Sequence, residues 1–265
     1  MQYRRLGQSD LRVSMLGLGA SGLGTREDLR ESHRILDRAR DAGMTLIDTA
    51  NVYGRGASES AIGTWLPLHR SEVIIATKAG LPVGDGAHDR GASRSHLTRE
   101  LEGSLRRLRT DYIDLYQVHP FDPWTPLDET LQTLEGFVQQ GKVRYVGASN
   151  YRVWELMKAV GISQRLRVGS FVSHQCSYSL ADRTAEREMG SLLRDQGLGL
   201  IAYFPLGSGL FTGKYRPDEP APPGSPGARV SGAFPYQDPG LLALAAEVAA
   251  VAEEIHARPA QVALA

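Results

Sequence analysis

The sequence predicts an α/β protein folded as a (β/α)8 TIM barrel with an N-terminal β-hairpin, and three observations support this fold class. Seven apolar segments with the character of strands alternate with helical patterns along the 265 residues. Parallel strands require crossovers of about a dozen residues, and the intervening helices supply them. The segment YRRLGQSDLRVS before the first strand resembles a short hairpin suited to closing one end of a barrel. We therefore expect one barrel domain over residues 1–265.

The elements follow from local patterns. The predicted strands are RVSMLGLGA, MTLIDTA, EVIIATK, YIDLYQVH, VRYVGASN, SFVSHQCSY and GLGLIAYFP. In the helix SHLTRELEGSLRRLR, four leucines recur at the spacing of one helical face, namely Leu97, Leu101, Leu105 and Leu108. In the helix TPLDETLQTLEGFVQQG, we expect Thr125 to cap the first turn, Asp128 to complete a capping box and Gly141 to end the helix.

A Rossmann fold is the alternative architecture. The segment GLGASG at residues 17–22 matches G-x-G-x-x-G directly after a strand, and Asp48 ends the next strand. In that fingerprint the third glycine opens a helix, whereas Leu23, Gly24 and Thr25 come before the helical pattern here. One such match in a chain with 29 glycines is weak evidence. The barrel is therefore favoured.

Composition excludes several classes of function. The formal net charge is zero and the pI is about 7.1, so no overall basic field points to nucleic acid or to a membrane surface. Cys176 is the sole cysteine, which excludes a disulfide framework and a cysteine-rich metal site. No signal peptide and no apolar run of about 20 residues is present in the sequence. We expect a cytoplasmic protein with a small-molecule partner, and the oligomeric state stays open.

Polar residues gather where the predicted strands end, and this is the edge at which a TIM barrel builds its site. Asp48, Lys78 and His119 each end a strand, and Tyr53 lies in the loop after Asp48. An ammonium ion near a phenol favours the phenolate, so Lys78 would make Tyr53 a better proton donor, while Asp48 would neutralise Lys78. Carbonyl reduction needs such a donor beside a hydride source and needs no metal. Each residue also has a simpler interpretation when it is considered alone. Asp48 could cap a turn and Lys78 could extend to solvent. Tyr53 could be a packed ring and His119 a loop histidine.

Five motifs in order and in register resemble the aldo-keto reductases over residues 1–265: DTANVYG, ATK, DLYQVHPFD, GKVRYVGASN and YFPLGSGLFTGKY. The resemblance implies a barrel that binds NADPH or NADP+ in an extended pose and reduces an aldehyde or ketone. It also implies a catalytic tetrad of Asp48, Tyr53, Lys78 and His119, with Tyr53 as the general acid. Within the family, the chain is similar to a bacterial branch that resembles potassium-channel β subunits and reductases of nucleotide-linked sugars.

The resemblance also implies a set of cofactor-binding residues. Ser149, Asn150 and Gln175, together with Asp48, would bind the nicotinamide end, and Tyr203 would stack on the ring. The following loop would hold the pyrophosphate through backbone N–H groups, with Lys214 as a point charge. Its implied contacts are Phe204, Pro205, Leu206, Gly207, Ser208, Gly209 and Leu210. Arg229 is a further cofactor candidate.

Two alternatives to an NADPH-dependent aldehyde or ketone reductase remain. One is an NADP-binding regulatory or sensor protein with little turnover, similar to the channel β subunits. The other is a reductase of nucleotide-linked deoxysugars. In the family, the pattern continues past RPAQVALA with an eighth strand and C-terminal helices that bind the adenosine 2′-phosphate. We therefore expect a C-terminally incomplete barrel domain, and the preference for NADPH over NADH rests on the resemblance alone.

Overall fold

The structure is a computed structural model that describes residues 1–216, 219–223, 225 and 238–265. The chain divides into two compact units. The first unit contains Met1–Gln175 and Leu192–Ile201, and the second contains Cys176–Ser191 and Ala202–Ala265.

Two sheets are present in the described residues. The hairpin strands β1 (Tyr3–Arg5) and β2 (Arg12–Ser14) pair antiparallel, with Tyr3 opposite Ser14. The larger sheet consists of β3 (Leu18–Gly19), β4 (Leu46–Asp48), β5 (Ile74–Ala79), β6 (Ile113–Val118), β7 (Val143–Ser149), β8 (Ser173–Ser177) and β9 (Gly199–Tyr203). Its strands lie in chain order from β3 to β9, and every pair from β3 to β8 is parallel.

The described residues include α-helices, of which the first six connect successive strands of the larger sheet and the last two follow β9. They are α1 (Leu29–Asp41), α2 (Ala57–Trp65), α3 (Arg94–Leu108), α4 (Leu127–Gln139), α5 (Val153–Leu166), α6 (Met189–Gln196), α7 (Pro239–Glu254) and α8 (Pro259–Leu264). A sheet in strict chain order with helical crossovers is the arrangement of a (β/α)8 barrel, whereas a Rossmann sheet reverses its strand order around the first strand. The predicted fold class is confirmed, and the Rossmann alternative is wrong.

The hairpin covers apolar side chains of the barrel strands. In the first unit, one buried cluster joins hairpin residues to strand residues: Leu6, Leu11, Val13, Leu46, Ala76 and Leu115. Burying one such leucine contributes roughly 1.5–3 kcal/mol. The second unit has its own cluster, in which residues of the loop after β9 pack on α7: Leu210, Phe211, Tyr215, Ala245 and Val248.

Three local predictions were wrong, and one of them is the capping box at Asp128, because α4 has no side-chain capping bond at its start. The segment RVSMLGLGA is not one strand, because the Ser14 hydroxyl donates to Leu16 O at 2.6 Å and the chain turns there, leaving β2 in the hairpin and β3 in the larger sheet. Thr125 does not cap α4, because its hydroxyl donates to Asp122 Oδ2 at 2.6 Å and Pro126 occupies the N-cap. The predicted stop is confirmed: Gly141, with a φ of +71°, follows the C-cap Gln140.

Candidate active site

A buried lysine lies at the centre of the site in the first unit. The Lys78 side chain is fully buried near the end of β5, and its Nζ donates to Asp48 Oδ2 at 2.6 Å and to the backbone oxygen of Thr49 at 2.8 Å. Asp48 ends the neighbouring strand β4, where it pairs in register with Ala76. The side chain of Asp48 remains 17% exposed. The parallel register of β4 and β5 therefore brings the two charges together, as the sequence predicts.

Tyr53 receives the third hydrogen bond of this lysine. Lys78 Nζ donates to the Tyr53 hydroxyl at 3.3 Å and lies 5.0 Å from the centre of the ring. Tyr53 begins a 3₁₀ turn after β4, and Gly54 follows it with a φ of +58°. A Cβ on Gly54 would lie 2.2 Å from Thr25 Cγ2, so the turn that presents Tyr53 requires glycine there.

His119 completes the predicted tetrad on the other side of Tyr53. The centres of the two rings are 6.0 Å apart, and the rings meet edge to face. Burial and, to a smaller extent, the Lys78 ammonium lower the pKa of His119 to about 4, and the still smaller opposite effect of the Asp48 carboxylate offsets this only in part. The imidazole is therefore uncharged at neutral pH, so its one N–H can donate to an oxygen and orient it, but the ring lacks the acidic second proton of an imidazolium ion. Nδ1 of His119 is buried without a hydrogen-bond partner among the described residues.

Acid is expected to destabilise the protein through its buried histidines. Burial also lowers the pKa of His174 to about 4, and its Nε2 accepts from the Tyr151 N–H at 3.2 Å, a bond that protonation would break. The unfolded chain, with a histidine pKa near 6.5, takes up protons first, so the free energy of unfolding falls between about pH 6.5 and pH 4.

Each such histidine accounts for about 3 kcal/mol of this loss. Urea unfolding at several pH values should show a smaller loss for His174→Gln than for the parent chain. The same replacement at the exposed His88 should leave the pH dependence as it was. An identical pH dependence in the parent chain and in both variants would contradict the assignment.

Amide and hydroxyl groups flank the tetrad at the end of β7 and in the middle of β8. Gln175 Nε2 donates to Asp48 Oδ1 at 2.9 Å. Asn150 Nδ2 donates to the backbone oxygen of His119 at 3.1 Å and to Ser149 Oγ at 3.0 Å. The structure therefore brings the three residues predicted for the nicotinamide end next to the tetrad in the first unit. Their binding of a cofactor stays a prediction.

The remaining predicted cofactor residues, except Arg229, lie in the second unit. Tyr203 ends β9, and a 3₁₀ segment follows at Gly207–Thr212. The N–H of Gly207 donates to Phe204 O at 2.8 Å, and that of Gly209 donates to Leu206 O at 3.0 Å. These two donors are thus engaged within the loop. Of the other predicted residues, Pro205, Ser208 and Leu210 belong to the same loop, Lys214 lies 5.3 Å from the Tyr215 ring, and Arg229 is outside the described residues.

Three contacts of the site were missed by the sequence prediction. Gln117 Nε2, in β6, donates to Asp48 Oδ1 at 3.3 Å. Asn51 Nδ2 donates to Glu100 Oε2 at 2.9 Å, and the Asn51 N–H donates to Lys78 O at 3.1 Å, so α3 and β5 both hold the loop that carries Tyr53. The sequence did contain a signal for Gln117, because a polar residue two positions before His119 lies on the same face of the strand. Glu100 had none.

The part of the chain that the structure describes contains no group of three or more His, Cys, Asp or Glu residues arranged to hold a metal ion. No helix in the same described ranges is long and apolar enough to cross a membrane.

Fold and site together define a TIM-barrel protein whose strand ends carry an Asp–Lys–Tyr–His centre. Residues 15–265 match the model of the Aldo/keto reductase family. The uncharacterized oxidoreductase YrpG of Bacillus subtilis (strain 168) is 44% identical over 225 residues, which cover 81% of this chain and 69% of the relative. The chain belongs to the aldo/keto reductase family, which is a family of oxidoreductases with the (β/α)8 fold.

Two further relatives differ in what their names describe. A probable voltage-gated potassium channel subunit beta of Oryza sativa subsp. japonica is 37% identical over 220 residues, covering 81% of this chain and 67% of the relative. L-glyceraldehyde 3-phosphate reductase of Escherichia coli (strain K12) is 38% identical over 223 residues, covering 81% of this chain and 64% of the relative. The chain thus spans about two thirds of the length of these relatives.

Proposed function

We propose that this protein reduces an aldehyde or ketone to an alcohol with NADPH, and that Tyr53 supplies the proton. The observation that carries the proposal is the fully buried Lys78 Nζ, which contacts Asp48 at 2.6 Å and the Tyr53 hydroxyl at 3.3 Å. A cation in this position stabilises the phenolate that remains after Tyr53 has given up its proton.

Each of the four residues has a separate role in the proposed reduction. Tyr53 donates its hydroxyl proton to the carbonyl oxygen of the substrate, and Lys78 compensates the negative charge that remains on the phenolate. Asp48 holds Lys78 in place and balances its charge in a buried setting. The neutral imidazole of His119 positions the carbonyl oxygen by a hydrogen bond. With His119 uncharged, Tyr53 is the acid of the site.

The polar residues at the end of β7 and in the middle of β8 have the chemistry to hold a nicotinamide carboxamide. Because Gln175 Nε2 is engaged with Asp48, Gln175 would accept from the carboxamide NH₂ through Oε1. Ser149 and Asn150 are the further candidates at this end, and Lys214 in the second unit is the candidate for the pyrophosphate. NADPH, when bound, supplies the hydride. Its preference over NADH is proposed from family membership.

Deuterium transfer tests the proposal directly. The purified chain is incubated with NADPH deuterated at nicotinamide C4 and with a panel of short aldehydes, L-glyceraldehyde 3-phosphate and a nucleotide-linked deoxysugar. Mass spectrometry then locates the label. We expect deuterium on the former carbonyl carbon of at least one product. Tight NADPH binding without any transfer would instead support the alternative of a regulatory protein, which the potassium-channel relative motivates.

A further inference from the structure

A cavity of about 460 Å³ lies between the loops that follow β5 and β6 in the first unit. Gly80 opens the first loop two residues after Lys78, and Pro120 opens the second directly after His119. The His119 N–H donates to Ala79 O at 2.8 Å, so the two loops leave the sheet side by side. The cavity is therefore lined by residues that closely follow Lys78 and His119 in the chain, and the four tetrad residues are not among its lining residues.

The walls of this cavity are mainly apolar. They include Leu81, Pro82, Phe121 and Trp124. Trp124 is 90% exposed, although tryptophan is among the side chains that gain most from burial. A mainly apolar cavity with a few polar groups is the kind of site in which proteins bind small ligands.

Two charged residues that line the cavity, Asp122 and Arg90, differ in whether their charged groups already have partners. Asp122 is fully engaged: its carboxylate accepts from the N–H of Ala92 at 2.8 Å, the N–H of Trp124 at 2.9 Å and the Thr125 hydroxyl at 2.6 Å. This carboxylate ties the two loops together through three hydrogen bonds from uncharged donors. Arg90 lines the same cavity, is exposed, and has no carboxylate partner among the described residues. Its chain neighbour Asp89 pairs with Arg99 at 3.1 Å.

We propose that this cavity receives the part of the substrate remote from the reacting carbonyl, and that this part is an apolar group ending in a carboxylate or phosphate held by Arg90. The proposal rests on the proposed carbonyl reduction. Arginine presents a planar fork of donors that matches both anions, and the apolar walls would favour a ring or short alkyl chain beside it. Arg90 is thus a specificity-determining residue.

Pairs of similar substrates, one with an anionic group and one without, test whether Arg90 binds an anion. We compare 4-carboxybenzaldehyde with its neutral methyl ester, and 4-formylphenyl phosphate serves as the phosphate compound. Arg90→Gln should lower kcat/KM for the carboxylate about tenfold, mainly through KM, and this loss should be at least fivefold larger than the loss for the ester. A still larger loss with the phosphate compound would identify phosphate as the preferred anion. Arg30→Gln, on α1, makes the same change of net charge at an exposed arginine outside the cavity.

Binding separates this proposal from the proposed reduction. Titration with 4-(hydroxymethyl)benzoate and with benzyl alcohol, monitored by calorimetry, needs no turnover. Tighter binding of the carboxylate to the parent chain than to Arg90→Gln supports the cavity assignment even if no aldehyde is reduced. Equal affinity of both compounds for both proteins, or the same loss in Arg30→Gln as in Arg90→Gln, overturns the assignment even if reduction is observed.

Discussion

Replacing Tyr53 by phenylalanine is expected to lower kcat for carbonyl reduction by about a hundredfold to ten-thousandfold, the range that a positioned general acid supplies. The variant loses only the hydroxyl that accepts from Lys78 Nζ at 3.3 Å and keeps the ring that meets His119. The Kd for NADPH should stay within about twofold, because the proposed nicotinamide contacts come from β7 and β8. Steady-state kinetics and a fluorescence titration with NADPH measure the two quantities.

Tyr112→Phe is the matched control for this variant. The Tyr112 ring lies against the guanidinium groups of Arg70 and Arg144, at 3.7 and 4.2 Å from the ring centre, before the start of β6. It is thus at the opposite end of the strand from His119, and its replacement should leave kcat unchanged. Equal kcat values for Tyr53→Phe and the parent chain would rule out Tyr53 as the acid. A parallel loss of NADPH affinity would assign Tyr53 to cofactor binding instead.

The clustering of the four tetrad residues could be predicted because three of them lie at or next to the ends of successive strands of a parallel sheet. Asp48, Lys78 and His119 are far apart in the chain, yet chain-order pairing places the ends of β4, β5 and β6 at one edge. Sequence patterns indicate where a strand ends, and the fold class then places those ends together. Tyr53 could be added to the predicted site because it lies in the loop that follows Asp48.

Other parts of the site depend on side-chain packing that no local pattern encodes. The contact of Asn51 with Glu100 joins a loop to the outer helix α3, and helical spacing marks Glu100 only as a polar position. The boundary errors have the same origin. A hydrogen bond of the Ser14 hydroxyl divides one apolar run into β2 and β3, and Thr125 bonds Asp122 instead of the helix start. At both positions one side-chain hydrogen bond decides the local structure, and the sequence does not show which partner that side chain takes.

The second large effect is expected at Lys78. Lys78→Met keeps the length and apolar body of the side chain but removes a charge that is fully buried beside Asp48. Asp48 would keep its bonds from Gln175 and Gln117 yet lose its counter-charge. Removing one partner of a buried ion pair costs about 3–5 kcal/mol. Urea unfolding should register this loss, and carbonyl reduction should fall at least as far as in Tyr53→Phe.

The same replacement at Lys142 is the control. Lys142 Nζ lies 2.5 Å from Glu102 Oε1, but both side chains are more than a third exposed, so the pair contributes less than about 1 kcal/mol. Equal destabilisation by Lys78→Met and Lys142→Met would contradict a buried pair at the site. A double variant, Lys78→Met with Asp48→Asn, makes a sharper distinction. It removes the uncompensated charge, so stability should recover in part, whereas reduction should not, because nothing then stabilises the Tyr53 phenolate.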